Sequence, residues 1–170
     1  MLKKLLILII IIEIILIPLI IISNDKKIII KKVYTLKIEK KEQPIAKITI
    51  NKININEDIY SINSDKNTIE QHVTILKGSN YPNLLILAAH SGKGDIAYFE
   101  KLDELTINDE VFIQYRNDKK TYIVKEIWEE KKNGKIHIDN NTNQLILTTC
   151  SPKHKNYQLI ISCIKKESIT

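Results

Sequence analysis

The sequence NQLILTTCSP, residues 143–152, contains an apolar run that ends on a cysteine. The run is rich in residues that favour β-strands, and Pro152, two positions after Cys150, cannot continue a strand ladder. We therefore predict a strand over residues 144–150 that places the Cys150 thiol at the rim of the fold. Because free cysteine is often a buried apolar side chain, this segment alone leaves a structural role for Cys150 open.

A second apolar run ends on a histidine. The sequence LLILAAHSG, residues 84–92, predicts a strand over residues 84–89 that delivers His90 to its end and is followed by small, flexible residues. A cysteine nucleophile needs an imidazole that shares or takes its proton, and the two must be neighbours in space but not in sequence. We therefore predict that His90 and Cys150 form a catalytic pair.

These two segments resemble the sortases, the cysteine transpeptidases of Gram-positive cell envelopes. The sequence ILTTC (146–150) is similar to the T-L-x-T-C strand of that family, and AAHSG (88–92) to its A-G-H strand end. Other segments extend the resemblance, in the family's order, over residues 44–164: IAKITINKINI (45–55), DIY (58–60), GSNYP (78–82), FEKLDEL (99–105) and ND (108–109).

The resemblance implies an all-β fold, an eight-stranded β-barrel with one or two short helices. It also implies that Cys150 attacks a backbone carbonyl in the C-terminal sorting motif of a secreted protein and forms a thioacyl-enzyme. His90 would protonate the leaving amine and then deprotonate an incoming amine from a cell-wall precursor or a pilin lysine. This chemistry needs no metal and no organic cofactor. The insertion between strands at residues 129–143 is short and shows no pattern of a long helix, which favours the sortase classes without one there.

Residue 158 departs from the family pattern. Sortases carry an arginine just inside the last strand, whereas this chain has Gln158, which keeps an N–H donor but lacks the charge. We predict that Gln158 is a weaker oxyanion donor, with the loop residues Lys153, His154 and Lys155 as possible substitutes. Two alternatives stay open: a hydrolase using the same pair, and a catalytically inactive, membrane-tethered β-barrel binding module.

Apolar and polar residues alternate from Ile45 onward, which by itself predicts a β-barrel or a β-sandwich. We predict a short helix from Ala97 to Leu105 and one helical turn over residues 66–72. Asparagines should supply positive-φ turn positions, as in Arg116-Asn117-Asp118 and Asn133-Gly134. Further strands are predicted at 58–62, 73–76, 109–115, 121–130 and 157–164.

The two cysteines are predicted to be free thiols. If residues 144–150 and 157–164 form a hairpin, Cys150 lies opposite about position 157 and Cys163 opposite about position 144. The two side chains would then be roughly 20 Å apart, because a strand rises about 3.3 Å per residue. A disulfide needs Cα atoms within about 7 Å.

The first residues differ from the rest of the chain. Residues 5–22 are all apolar except Glu13 and Pro18, a run long enough to cross a bilayer and without a signal-peptidase site after it. We predict a membrane anchor at residues 1–22, a charged tether at 23–43 with a strand over 33–39, and a catalytic domain at 44–170. Lysines lie on both sides of the run, so the extracellular, single-pass placement of the catalytic domain rests on the resemblance.

The formal net charge is +6, from 26 basic and 20 acidic residues. A basic surface suits anionic wall polymer or lipid head groups, but no basic patch interleaved with aromatic residues indicates nucleic acid. His72, His137 and His154 lie in polar stretches expected to be exposed. Their spacing relative to the acidic residues does not match a metal site.

Overall fold

The computed structural model describes residues 22–23, 25–27, 42–80, 83–138 and 143–167. The chain divides into two units, Met1–Glu42 and Gln43–Thr170. Most of the predicted anchor and tether, including the strand expected at 33–39, lies outside the described residues. Within the part of the chain that is described, no helix has the length and apolarity needed to cross a membrane.

Eight strands form one sheet in the second unit, in the order β2-β1-β5-β6-β8-β7-β4-β3. A parallel bridge between Ile59, at the end of β2, and Val73, just before β3, joins the two edges, so the sheet is a nearly closed barrel. The predicted all-β, eight-stranded barrel is therefore confirmed. The strands are β1 Ala46–Ile50, β2 Ile55–Ile59, β3 Thr74–Ile75, β4 Leu84–Ala88, β5 Glu110–Tyr115, β6 Asp118–Lys131, β7 Gln144–Cys150 and β8 Tyr157–Lys165.

The barrel interior is filled by one face of each strand, as the period of two requires. Its fully buried members include Ile48, Leu87, Leu147 and Ile161. Burying an aliphatic side chain of this size contributes about 1.5–3 kcal/mol, so this layer dominates the stability of the unit.

The predicted helix at Ala97–Leu105 is a series of turns with a single 3-10 segment, Leu102–Glu104. Its backbone hydrogen bonds run to the third residue back, as in Leu105 N–H to Leu102 O, and not to the fourth. The expected inward orientation is confirmed, because Phe99, Leu102 and Leu105 are all buried. The segment therefore contributes side chains to the barrel core without forming an α-helix.

Asparagine supplies most positive-φ turn positions outside glycine in the described residues: Asn54, Asn108, Asn143 and Asn156. This confirms the general expectation, but two of the predicted sites are wrong. In the β5–β6 hairpin the positive φ belongs to Arg116, at 51°, and in the Asn133-Gly134 turn it belongs to the glycine. The two-residue hairpin loop needs a positive φ at its first position, whichever residue stands there.

A smaller apolar cluster covers the outer face of the barrel. Ile86, Ile146 and Ile160, from β4, β7 and β8, are buried there, with Trp128 and Ile138 packed against them. Residues 132–138 contain no helix and follow β6 over this face. Burial on both faces explains why β4, β7 and β8 read as continuous apolar runs instead of alternating ones.

Strand β6 contains a β-bulge. Its pairing with β8 shifts between Val124 and Glu126, so Lys125 is an extra residue. Before the bulge, Tyr122 and Val124 point into the barrel. After it, Trp128 contacts the outer cluster, which means that even-numbered residues have changed face.

Candidate active site

The two predicted catalytic residues follow neighbouring parallel strands. Strands β4 and β7 are paired with Ala88 opposite Thr148, and the Thr149 hydroxyl extends this contact by donating to the Ala89 carbonyl at 2.7 Å. Cys150 is the last residue of β7, and His90 lies two residues beyond the end of β4. Because alternate residues share a face, both emerge on the outer face of the barrel, one strand spacing apart, or about 4.8 Å.

The surroundings of His90 and Cys150 differ. Both residues are half-buried. The Cys150 sulfur accepts a hydrogen bond from the Lys132 ammonium at 3.0 Å. The backbone carbonyl of His90 accepts from the Phe99 N–H at 2.9 Å, which fixes the chain where it leaves β4. Among the described residues no hydrogen bond joins the imidazole to the thiol. Catalytic hydrogen bonds are often long or unformed before substrate binds.

Gln158 lies directly opposite Cys150 in the β7–β8 hairpin. The predicted register, with Cys150 opposite about 157, is wrong by one residue because the turn is centred on His154. Cys163 pairs with Leu145, which leaves the two cysteines about 16 Å apart along the hairpin. Both are free thiols, as predicted.

The Gln158 side chain is already engaged. Its amide nitrogen donates to the Glu130 carboxylate at 3.0 Å and to the Lys135 carbonyl at 2.8 Å. A glutamine amide has two N–H donors, so both are used. The residue is 9% exposed. To act as the predicted oxyanion donor, Gln158 would have to break one of these two bonds.

Two glutamates at the end of β6 hold the loops on either side of the thiol. Glu129 binds the imidazole of His154 and accepts from the Ser151 hydroxyl at 2.9 Å. Glu130 binds the imidazole of His137 at 2.8 Å and also accepts from Gln158. The loops 151–156 and 132–138 are therefore both tied to the same strand.

The electrostatics of the two glutamates follow from these contacts. The hydrogen bond from His154 lowers the pKa of Glu129, against a smaller opposing effect of burial. Burial acts to raise the pKa of Glu130, but hydrogen bonds from His137 and Gln158 together outweigh it, so its pKa is also lowered. Both carboxylates therefore stay ionised at neutral pH and are firm hydrogen-bond acceptors.

The remaining histidines and loop cations have other partners. His137 and His154 are exposed, as expected, but both bind glutamates. His72 is half-buried, with its ring centroid 4.6 Å from that of Tyr60. Of the three residues suggested as substitutes for the arginine, His154 is occupied by Glu129. Lys153 and Lys155 make no side-chain hydrogen bond within the described residues.

Lys132 was not predicted from the sequence. It stands in an exposed, charged run, EEKKNGK at 129–135, that reads as a solvated surface. Its contact with Cys150 depends on strand order, because β8 separates β6 from β7 in the sheet. Nothing in the local sequence distinguishes Lys132 from Lys131 or Lys135.

A cavity of about 560 Å³ lies on the same outer face as Cys150, further along β7. Trp128, Ile138, Gln144 and Ser162 contribute to its lining. The Gln144 side-chain oxygen is buried there without a hydrogen-bond partner. Polar and charged side chains, including Lys125, Glu126 and His137, make up most of the remaining lining, so the cavity combines a few apolar contacts with an acceptor suited to an N–H group.

Comparison with known proteins gives a consistent picture. A family model described as "Sortase domain" matches residues 48–165. Sortase A from Corynebacterium diphtheriae, in a lid mutant, is similar with a TM-score of 0.65 and 24% identity, over 76% of this chain and 74% of that one. Among curated proteins, no sequence matches this chain significantly.

Two streptococcal structures are similar to the same extent. The pilus-related sortase C of Group B Streptococcus has a TM-score of 0.64 and 23% identity, over 76% of this chain and 70% of that one. Sortase C1 from Streptococcus agalactiae has a TM-score of 0.65 and 25% identity, over 76% of this chain and 71% of that one. The shared architecture is thus the eight-stranded barrel described above.

Proposed function

Because the chain belongs to the sortase family and is therefore a cysteine transpeptidase, we propose that Cys150 is its nucleophile and His90 its acid–base group. The observation that carries this assignment is the pairing of β4 with β7. That pairing brings the two side chains to neighbouring strand ends on one face. The thiol is half-buried at the rim, whereas the other cysteine, Cys163, is fully buried in the core.

The reaction proceeds in two acyl transfers. The Cys150 thiolate attacks a peptide carbonyl, a C–S bond forms, and the carbonyl oxygen takes up the negative charge. The C–N bond then breaks, and His90 gives its proton to the leaving nitrogen, which leaves a thioester. An incoming amine attacks that thioester, His90 takes its proton, and the C–S bond breaks to regenerate the thiolate.

The substrate is a short sorting motif in a secreted protein, bound in extended form on the outer face. From Cys150 to Gln144 the strand spans about 20 Å, which an extended peptide of six residues matches. The cavity beside Trp128 would receive a side chain at the far end of that peptide. The unpartnered Gln144 oxygen would accept one of its N–H groups.

The acceptor amine belongs to a cell-wall precursor or to a pilin lysine. The pilus-related sortase C among the similar structures lends weight to the second choice, without deciding between them. Residues 1–22 anchor the enzyme in the cell membrane as a single span, and residues 23–43 tether an extracellular catalytic domain. The apolar composition of residues 5–22 supports this placement.

The test is a search for the thioacyl-enzyme. The full-length protein is incubated with secreted proteins of the same cell, and a thioester adduct on Cys150 is sought by mass spectrometry. Cys163→Ala, which removes the other thiol, should keep the adduct, and Cys150→Ala should lose it. An added amine should turn over the adduct into an amide product. Release of free acid at an unchanged rate would indicate a hydrolase, and no adduct at all would indicate an inactive binding module.

A further inference from the structure

We propose that Lys132 is a catalytic residue that supplies the positive charge of this active site. Its ammonium would hold the Cys150 sulfur as a thiolate and then donate a hydrogen bond to the oxyanion formed on attack. The inference rests on the proposed role of Cys150 as the nucleophile. The proposal places the positive charge of the active site in the segment after β6. None of the segments that resemble the sortase family predicts a catalytic cation there.

The position of Lys132 is fixed by more than one contact. Its ammonium lies 3.0 Å from the Cys150 sulfur. Its backbone N–H donates to the Asn156 carbonyl at 2.9 Å, which ties it to the β7–β8 turn. Three residues later, the Lys135 carbonyl accepts from Gln158, which is opposite Cys150. The segment that carries Lys132 is therefore tied both to the β7–β8 turn and to β8, and the lysine is not a loose surface side chain.

The other residues that could supply this positive charge are either engaged elsewhere or remote from the thiol. Residue 158 is neutral, and both of its N–H donors are engaged. His154 is held by Glu129. Arg116 lies in the β5–β6 turn, at the end of β6 remote from Lys131 and therefore from the thiol. Among the described residues, Lys132 is the cation in contact with Cys150.

The chemistry requires little movement of the lysine. A neighbouring cation favours the thiolate over the thiol, and the thiolate is the reactive form. On attack, the negative charge moves from sulfur to a carbonyl oxygen two bonds away, within reach of the same ammonium. No proton leaves Lys132 in either step, because His90 carries the proton to and from nitrogen. Lys132 thus stabilises negative charge, and His90 transfers protons.

The experiment measures alkylation of Cys150 by iodoacetamide in the full-length protein, with the labelled peptide quantified by mass spectrometry from pH 5 to 10. Cys163 does not interfere, because burial raises its pKa to about 12. Lys132→Met removes the charge, Lys132→Arg keeps it, and Lys135→Met is the matched control. The Lys135 side chain makes no hydrogen bond or ion pair within the described residues.

We expect Lys132→Met to alkylate about tenfold more slowly at pH 7. Lys132→Arg should stay close to wild type, and Lys135→Met should not change. Because Lys132 is exposed, added salt should shrink the difference between wild type and Lys132→Met. Single-turnover acylation by a sorting-motif peptide should fall about a hundredfold in Lys132→Met, the usual loss for an oxyanion donor.

Unchanged or faster alkylation in Lys132→Met would overturn the proposal, since the lysine would then be masking the thiol. So would a substrate acyl group found on the Lys132 nitrogen, because the lysine would then be an acceptor. These failures differ from failure of the proposed nucleophile, in which Cys150→Ala would keep transfer activity. Equal thermal stability of Lys132→Met and Lys132→Arg would show that the loss is chemical and not a loss of folding.

Discussion

Replacing Gln158 by alanine should destabilise the barrel as well as alter the active site. The change removes a hydrogen bond to a carboxylate, at 3.0 Å, and one to a backbone carbonyl, at 2.8 Å. A bond to a charged group contributes about 1.5–3 kcal/mol and a neutral one about 1 kcal/mol. Glu130 keeps 17% of its side chain exposed, so water recovers part of the loss. We therefore expect a decrease in the free energy of unfolding of about 2 kcal/mol.

The assay is equilibrium unfolding in urea of residues 43–170, the second compact unit of the chain. The single tryptophan, Trp128, packs on the outer cluster and reports the transition by fluorescence. A loss of about 2 kcal/mol corresponds to a midpoint lower by about 1 M urea, or a melting temperature lower by about 6–8 °C. The matched control is Gln114→Ala, which removes one exposed hydrogen bond to the Arg116 carbonyl. It should change stability by less than about 0.5 kcal/mol.

The result that would refute this reasoning is a Gln158→Ala midpoint within error of the Gln114→Ala midpoint. Gln158 would then not tie β8 to β6 and to the segment after it. If stability falls as expected while acylation well below the melting temperature is unchanged, Gln158 is a structural residue and not an oxyanion donor. Measuring both quantities on one variant separates the two roles.

Three further outcomes are expected. Cys150→Ala and His90→Ala should each abolish transfer while the thermal melting temperature changes by less than about 2 °C, because both residues lie at strand ends; activity retained with a clear drop in melting temperature would mean a structural role. Gln158→Arg should accelerate single-turnover acylation, because a charge-assisted donor is about twice as strong as a neutral one; an unchanged rate would show that position 158 does not reach the oxyanion. The pKa of Glu129 is lowered from its ordinary value of 4.5, so the stability it adds is present above that pH and lost as pH falls through the lower folded value. Urea titrations should therefore show a stability difference between wild type and Glu129→Gln at pH 7 that shrinks as the pH falls below 4.5, and a constant difference would contradict the linkage.

Strands that are buried on both faces were predicted well, because their sequences are apolar throughout. Strands β4 and β7 are apolar throughout because they are covered on both faces, and their ends at His90 and Cys150 could be read directly. The start of β6 was placed three residues late, because Asp118, Lys119 and Lys120 are polar and only the hairpin pairing with β5 makes them strand residues. Composition therefore locates buried strands better than exposed ones.

The active site was harder to predict because its contacts depend on register and strand order. The β7–β8 turn places Asn156 in a left-handed conformation. Cys150 pairs with Gln158 and not with position 157 as predicted, a one-residue difference in register. Lys132 reaches the thiol from just beyond the end of β6, a strand that is not adjacent to β7. Such contacts form only once the whole sheet is assembled, so the local sequence does not predict them.

The bulge at Lys125 has a consequence for how this sequence can change. The bulge absorbs one residue without shifting the partners on β8, because Val124 pairs with Cys163 and Glu126 with the next residue, Ser162. Deleting Lys125 would therefore leave a regular ladder in which Trp128 and Glu130 keep their faces, and only the local bend and extra twist would be lost. A residue inserted between Glu126 and Trp128 without a second bulge would instead exchange the two faces. It would turn the indole out of the outer cluster and the Glu130 carboxylate toward the barrel interior, where an unpaired charge is very costly.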